Sequence, residues 1–147
     1  MLKAYKIAIS GQVQGVGFRP FVYNLASKFS VNGTVTNNEE GVLIYVSGEN
    51  ENIKSFYSKL IQFPPPISSI SKSSIIEVQQ TFFEDFSILN SSKKDKLNVP
   101  LTPDFAICED CKNEIKNSEN SRYNYPFTTC VNCGPRYAIT ENFPFER

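Results

Sequence analysis

Two groups of residues in this 147-residue chain have the types and spacing to do chemistry. The first is the segment Gln14-Gly15-Val16-Gly17-Phe18-Arg19. Glycines let backbone N–H groups converge on one point, and a helix starting just after them adds positive potential there. Arg19 contributes a planar fork of donors matched to the oxygens of a phosphate. Together they form a cradle for one phosphate group. The segment has no Gly-Lys-Ser/Thr, and Gly11, Gly15 and Gly17 lack the G-x-G-x-x-G spacing of a dinucleotide site. The plain alternative is a glycine turn with a surface arginine.

The second group is Cys108-x2-Cys111, eighteen residues, then Cys130-x2-Cys133, the four-thiolate zinc pattern. The chain has no histidine, so such a site is all-cysteine and closed, hence structural. Two reduced or redox-active pairs are the other reading of these residues. Cys130 and Arg136 also have the C-x5-R spacing of cysteine phosphatases. Pro135 removes a donor from that loop, however, and Cys133 inside it suits zinc better. Without histidine there is also no imidazole to act as general base or nucleophile.

The elements that must hold these groups follow from periodicity. Ala4 to Val13 alternates as a strand, with Tyr5, Ile7 and Ile9 on one face. Pro20 sits where a first helical turn tolerates it, and Phe21, Val22, Leu25, Ala26 and Phe29 then share one helical face. Gly33 to Thr36 reads as a strand running into a turn at Asn37 to Gly41, where asparagine suits a turn on its own account. Val42 to Val46 reads as a strand covered on both faces. A second helix starts near Asn50–Glu51, with Ile53, Phe56, Tyr57, Leu60 and Ile61 on one face, and Pro64-Pro65-Pro66 ends it. Ile75 to Val78 and Phe86 to Leu89 are short strands. Ser68 to Ser74 and Ser91 to Lys96 read as solvated connections, the second as a linker.

This order predicts an α+β, ferredoxin-like split βαβ sandwich over residues 1–90, a linker at 91–103 and a small four-cysteine segment over 104–147. The 15 basic and 15 acidic side chains cancel, which excludes a bulk polycation that coats nucleic acid or anionic membrane. No apolar run approaches the ~18 residues of a membrane helix. The opening Met1 to Ser10 lacks the apolar core of a signal peptide. The expectation is a cytoplasmic protein with no nucleic-acid or membrane partner.

Gly11-Gln12-Val13-Gln14-Gly15-Val16-Gly17-Phe18-Arg19, followed by a helix and then Val35-Thr36-Asn37, resembles the acylphosphatase family across residues 1 to about 90. The resemblance implies that Gln14, Gly15, Val16, Gly17 and Phe18 offer backbone donors to a phosphate that Arg19 also binds. It further implies that Asn37 positions the attacking water. The turn Asn38-Glu39-Glu40-Gly41 departs from the Asp-Gly more usual there. Such chemistry needs no histidine: an acyl phosphate is already activated, so placing water in line and neutralising the phosphoryl oxygens suffices.

Pro103-Asp104-Phe105-Ala106-Ile107-Cys108, Arg122 to Phe127 and Cys130-Val131-Asn132-Cys133-Gly134-Pro135-Arg136-Tyr137 resemble the first zinc finger of the [NiFe]-hydrogenase maturation carbamoyltransferases, the HypF family. That family opens with an acylphosphatase-like domain whose loop reads as residues 15 to 20 do here. The resemblance implies hydrolysis of carbamoyl phosphate to supply carbamate, and a structural zinc on Cys108, Cys111, Cys130 and Cys133. It also implies that the chain is the front end of a longer enzyme. In the full-length family, further domains activate the carbamate with ATP. They then pass it to a C-terminal cysteine of a partner maturation protein, and nothing in this sequence resembles their nucleotide site. A free-standing acylphosphatase of broad specificity is a second reading, against which the finger argues. A non-catalytic ferredoxin-like and zinc-ribbon binding module is a third, against which zero net charge weighs where RNA is the partner.

Overall fold

The computed structural model describes residues 1–79, 82–90, 106–130 and 133. Alternating residues in β1 (Leu2–Gln12) send Ile7 and Ile9 into the interior. α1 (Phe18–Lys28) buries Phe18, Val22 and Ala26 on one stripe. β2 (Asn32–Asn38) and β3 (Gly41–Glu49) form a hairpin, and α2 (Asn50–Gln62) follows, burying Ile53, Phe56 and Leu60. β4 (Ser69–Glu77) and β5 (Phe86–Ile88) complete a five-stranded sheet in the order β4-β1-β3-β2-β5. All pairings are antiparallel except β2 with β5, which is parallel. One core cluster joins the buried side chains of both helices to Ile7, Ile9, Val35, Ile44 and Val46 from the sheet. This is the expected α+β sandwich, with helices on one face of a mainly antiparallel sheet.

Two local expectations change. Ser68 to Ser74 was expected to be a solvated connection, yet Ser69–Glu77 is strand β4, paired along β1 from Tyr5 to Gln12. It is an edge strand, and serine and lysine are what an exposed sheet edge tolerates without recruiting another chain. α1 begins at Phe18, so Pro20 lies in its first turn as expected. β3 buries Val42, Ile44 and Val46, whereas Leu43 and Tyr45 on its other face are only half-buried, so one face of the sheet is incompletely covered.

Near the cysteines, α3 (Glu109–Lys116) was not anticipated. It is only eight residues long and buries Cys111 alone, so no apolar period announces it. Its first turn carries Glu109 and Asp110 and its last Lys116, each sign favourable to the helix dipole. The linker expected at 91–103 lies outside the described residues, as does all of 134–147, including Arg136. Among the described residues no helix is long and apolar enough to cross a membrane.

Candidate functional site

The loop after β1 is shaped by where the strand stops pairing. β1 and β3 are in register as far as Ile9 opposite Val42. A bulge at Ser10/Gly11 then turns the chain along β4. Val13, Gln14, Val16 and Phe18 are all buried, anchoring the loop from inside. Gly15 and Gly17 lie on either side of Val16 with φ of 71 and 75, in the left-handed region that only glycine occupies cheaply. Such alternation gathers N–H groups into a concave nest. Among the described residues, the N–H groups of Gly15, Val16, Gly17 and Phe18 have no protein acceptor. The first helical bond runs from Phe21 N–H to the Gly17 carbonyl at 3.1 Å. Arg19, half-buried, lies in the first turn of α1, directly after the residues of the nest.

Asn37 is a strand residue, which corrects the expected turn at Asn37 to Gly41. β2 runs on to Asn38, and only Glu39 and Glu40 form the turn. The Asn38 side chain supports that turn by accepting a hydrogen bond from Glu40 N–H at 3.1 Å. Asn37 pairs with Val42, is 2% exposed, and its Oδ1 is buried with no hydrogen-bond partner. A lone buried carbonyl of this kind costs about 1–3 kcal/mol, so its persistence calls for an explanation in function.

Loop and strand end are joined by a contact that the sequence reading missed. Gln14 Nε2 donates to the carbonyls of Asn38 and Gly41, each at 2.8 Å. Residues 14–19 and Asn37, separated in the chain, thus meet at one end of the sheet. On the other flank Gln12 Nε2 donates to the Ile67 carbonyl at 2.7 Å.

The cysteine cluster is equally well defined. Cys108 caps α3 and Cys111 lies in its first turn, so one helical turn brings the two thiols together. All four sulfurs lie within 4.8 Å of one another. Cys108 and Cys130 are 3.6 Å apart, Cys111 and Cys133 3.8 Å, and Cys130 and Cys133 3.8 Å. A tetrahedral ion with Zn–S bonds of about 2.3 Å sets its thiolates about 3.8 Å apart, so these residues fit such an ion. None of the four is in a disulfide. Burial, and then the neighbouring thiols, push the Cys111 thiol up. Burial would also raise Cys133, but hydrogen bonds from the Cys108 and Cys130 backbone bring it down to about 6. Two supports went unnoticed in the sequence. Thr128 is buried and donates to the Tyr125 carbonyl at 2.8 Å. Arg122 Nη1 pairs with Glu114 Oε2 at 2.6 Å, closing the connection back onto α3.

Residues 5–88 match the sequence profile of the acylphosphatase family, and residues 107–140 match the HypF finger. The chain belongs to the acylphosphatase family. It is 35% identical over 88 residues to an acylphosphatase of Thermotoga petrophila, covering 59% of this chain and 97% of that protein. It is 42% identical over 144 residues to the probable carbamoyltransferase HypF of Methanocaldococcus jannaschii, covering 97% of this chain. That match spans 19% of the relative's length. A crystal structure of full-length HypF in a phosphate- and nucleotide-bound form superposes with a TM-score of 0.88 at 41% identity, over 99% of this chain and 19% of that one. An acylphosphatase-like domain followed by a HypF finger is the arrangement of the HypF N-terminal region.

Proposed function

We propose that this chain hydrolyses an acyl phosphate, with carbamoyl phosphate as its substrate. The observation that carries the reading is the buried, partnerless Oδ1 of Asn37 beside a nest of unpartnered N–H groups. The N–H groups of residues 14–18 and the guanidinium of Arg19 hold the phosphoryl oxygens and offset their charge. The Asn37 carboxamide hydrogen-bonds a water and holds it in line with the phosphorus. The water oxygen bonds to phosphorus as the bond from phosphorus to the acyl oxygen breaks, and the carboxylate leaves with that electron pair. Carbamate and phosphate are the products. The leaving group is a weak base, so no general acid is required, in keeping with a chain that has no histidine.

Cys108, Cys111, Cys130 and Cys133 would hold a zinc ion, which supplies a fixed tetrahedral crosslink and no chemistry of its own. We divide the chain into the hydrolytic domain at 1–90, a linker at 91–103 and the finger at 104–147. The likeness to HypF supports reading the reaction as the head of an ATP-dependent carbamoyl transfer to a C-terminal cysteine of a hydrogenase maturation protein. The cytoplasm is the fitting compartment, since it keeps such thiols reduced and free for metal.

The test is phosphate release from carbamoyl phosphate and from acetyl phosphate by the chain and its Arg19→Ala and Asn37→Ala variants. Turnover in the unmodified chain, lost in both variants with folding intact, is the expected result. Turnover that survives Arg19→Ala would place the chemistry elsewhere, and none from the unmodified chain would favour a binding module.

A further inference from the structure

Gln14 has so far been only a donor of backbone to the nest, but its side chain occupies a separate structural position. It is 3% exposed, and both carbonyls that its amide nitrogen reaches flank the Glu39–Glu40 turn, 24 and 27 residues away in the chain. Asn38 and Gly41 are the last pair of the β2–β3 ladder, and Asn37 precedes Asn38 directly. β1 makes no ladder contact with β3 beyond Ile9 and Val42. Past that point the loop veers to β4, and the Gln14 amide is what bridges the gap back to the hairpin. An amide nitrogen has two hydrogens, and each finds a carbonyl here. On such buried bonds a partner once removed leaves a carbonyl without compensation.

We propose that Gln14 is a positioning residue: its carboxamide fixes the end of β2, and so the Asn37 side chain, at a set distance from the phosphate nest. The inference rests on the acylphosphatase reading of the site given above. It separates two properties that would otherwise move together. The nest is built by the backbone of the left-handed glycines and the start of α1, whereas the Gln14 amide reaches across to the hairpin. Phosphate binding therefore depends on the loop alone, while placement of the water depends on the loop, Gln14 and Asn37 jointly. Support for a functional group from such an outer contact is commonly worth about 10–100-fold in activity.

The experiment uses the full chain with Gln14→Met, which keeps the volume and removes both donors, and Gln14→Glu, whose ionised carboxylate cannot donate. For Gln14→Met, kcat on carbamoyl phosphate is expected to fall about 10–100-fold while inhibition by inorganic phosphate stays unchanged. Placed on top of Asn37→Ala, Gln14→Met should lower kcat no further, since one pathway has already been cut. Gln14→Glu should regain kcat as the pH is lowered and its carboxyl becomes a donor. Three results would overturn the inference: unchanged kcat in Gln14→Met, a parallel loss of phosphate inhibition, or an additive double variant. Full turnover in Asn37→Ala alone would instead bring down the site reading beneath it. Amide hydrogen exchange gives a readout that needs no turnover. Gln14→Met should speed exchange at Glu40 and leave Ile7 and Ile44 protected, and unaltered exchange at the turn would refute the clamp.

Discussion

Replacing Asn37 with leucine offers a sharp test of what that residue costs and what it does. The two side chains are close in shape, and among the described residues the Asn37 side chain makes no hydrogen bond. Asn37→Leu therefore removes a buried carbonyl whose desolvation costs about 1–3 kcal/mol, with no partner left stranded. The different packing of two methyl groups should take back less than about 1.5 kcal/mol. The net is a domain more stable by about 1 kcal/mol, which for a domain of this size raises Tm by about 4–8 °C. Hydrolysis should move the opposite way. Loss of one placed hydrogen-bonding group lowers kcat by about 10²–10³-fold, with phosphate inhibition unaffected because the nest is untouched. Thermal unfolding followed by circular dichroism and phosphate release from carbamoyl phosphate measure the two effects on one preparation. A variant that melts lower than the parent would show that Asn37 is a structural residue after all. One that keeps its turnover would show that the water is held by something else.

Other perturbations probe the remaining parts. Arg19→Ala removes a charge-assisted contact of about 1.5–3 kcal/mol, so inorganic phosphate should bind about tenfold to a hundredfold more weakly, as read by titration calorimetry. Cys111→Ser should abolish a stoichiometry of one zinc per chain, measured by metal analysis after dialysis, yet leave phosphate release intact. Because zinc binds thiolates and protons compete for them, metal should be shed progressively as the pH is lowered. A chelator-release titration that showed zinc held more firmly in acid would contradict the four-thiolate site. Phe56→Ala, at a wholly buried position in α2, should cost about 3–5 kcal/mol in urea denaturation.

What could be read from the chain alone divides by the reach of the interaction involved. The cysteine spacing and the glycines around Val16 are legible because local spacing is itself the geometry: a turn of helix for one, paired left-handed residues for the other. The helices and β1 to β3 are legible because their apolar residues recur at the right period. Ile75 to Val78 marked only the end of β4; its first part was hidden because an edge strand rich in serine and lysine looks like a loop, and only its partner β1 makes it a strand. Asn37 looked like a turn residue because asparagine favours turns, whereas its place in the ladder depends on pairing with Val42. The role of the Gln14 side chain had no local signal. It exists only when residues 24 and 27 positions away have folded back against it.

The parallel pairing of β5 with β2 also sets an order of events during synthesis. Asn32 Nδ2 donates to the carbonyls of Phe83 and Glu84, 51 and 52 residues further on, and the Gly33 N–H donates to the Asp85 carbonyl. Until that segment emerges from the ribosome, the outer side of β2 is an unpaired border, and closing so distant a contact is the slow step in folds of this kind. The Gly33–Val35 stretch of β2 therefore gains its outer partner last. A nascent chain halted before residue 86 would leave that border of the sheet open, while Asn37, further along the same strand, already faces Val42 across the hairpin.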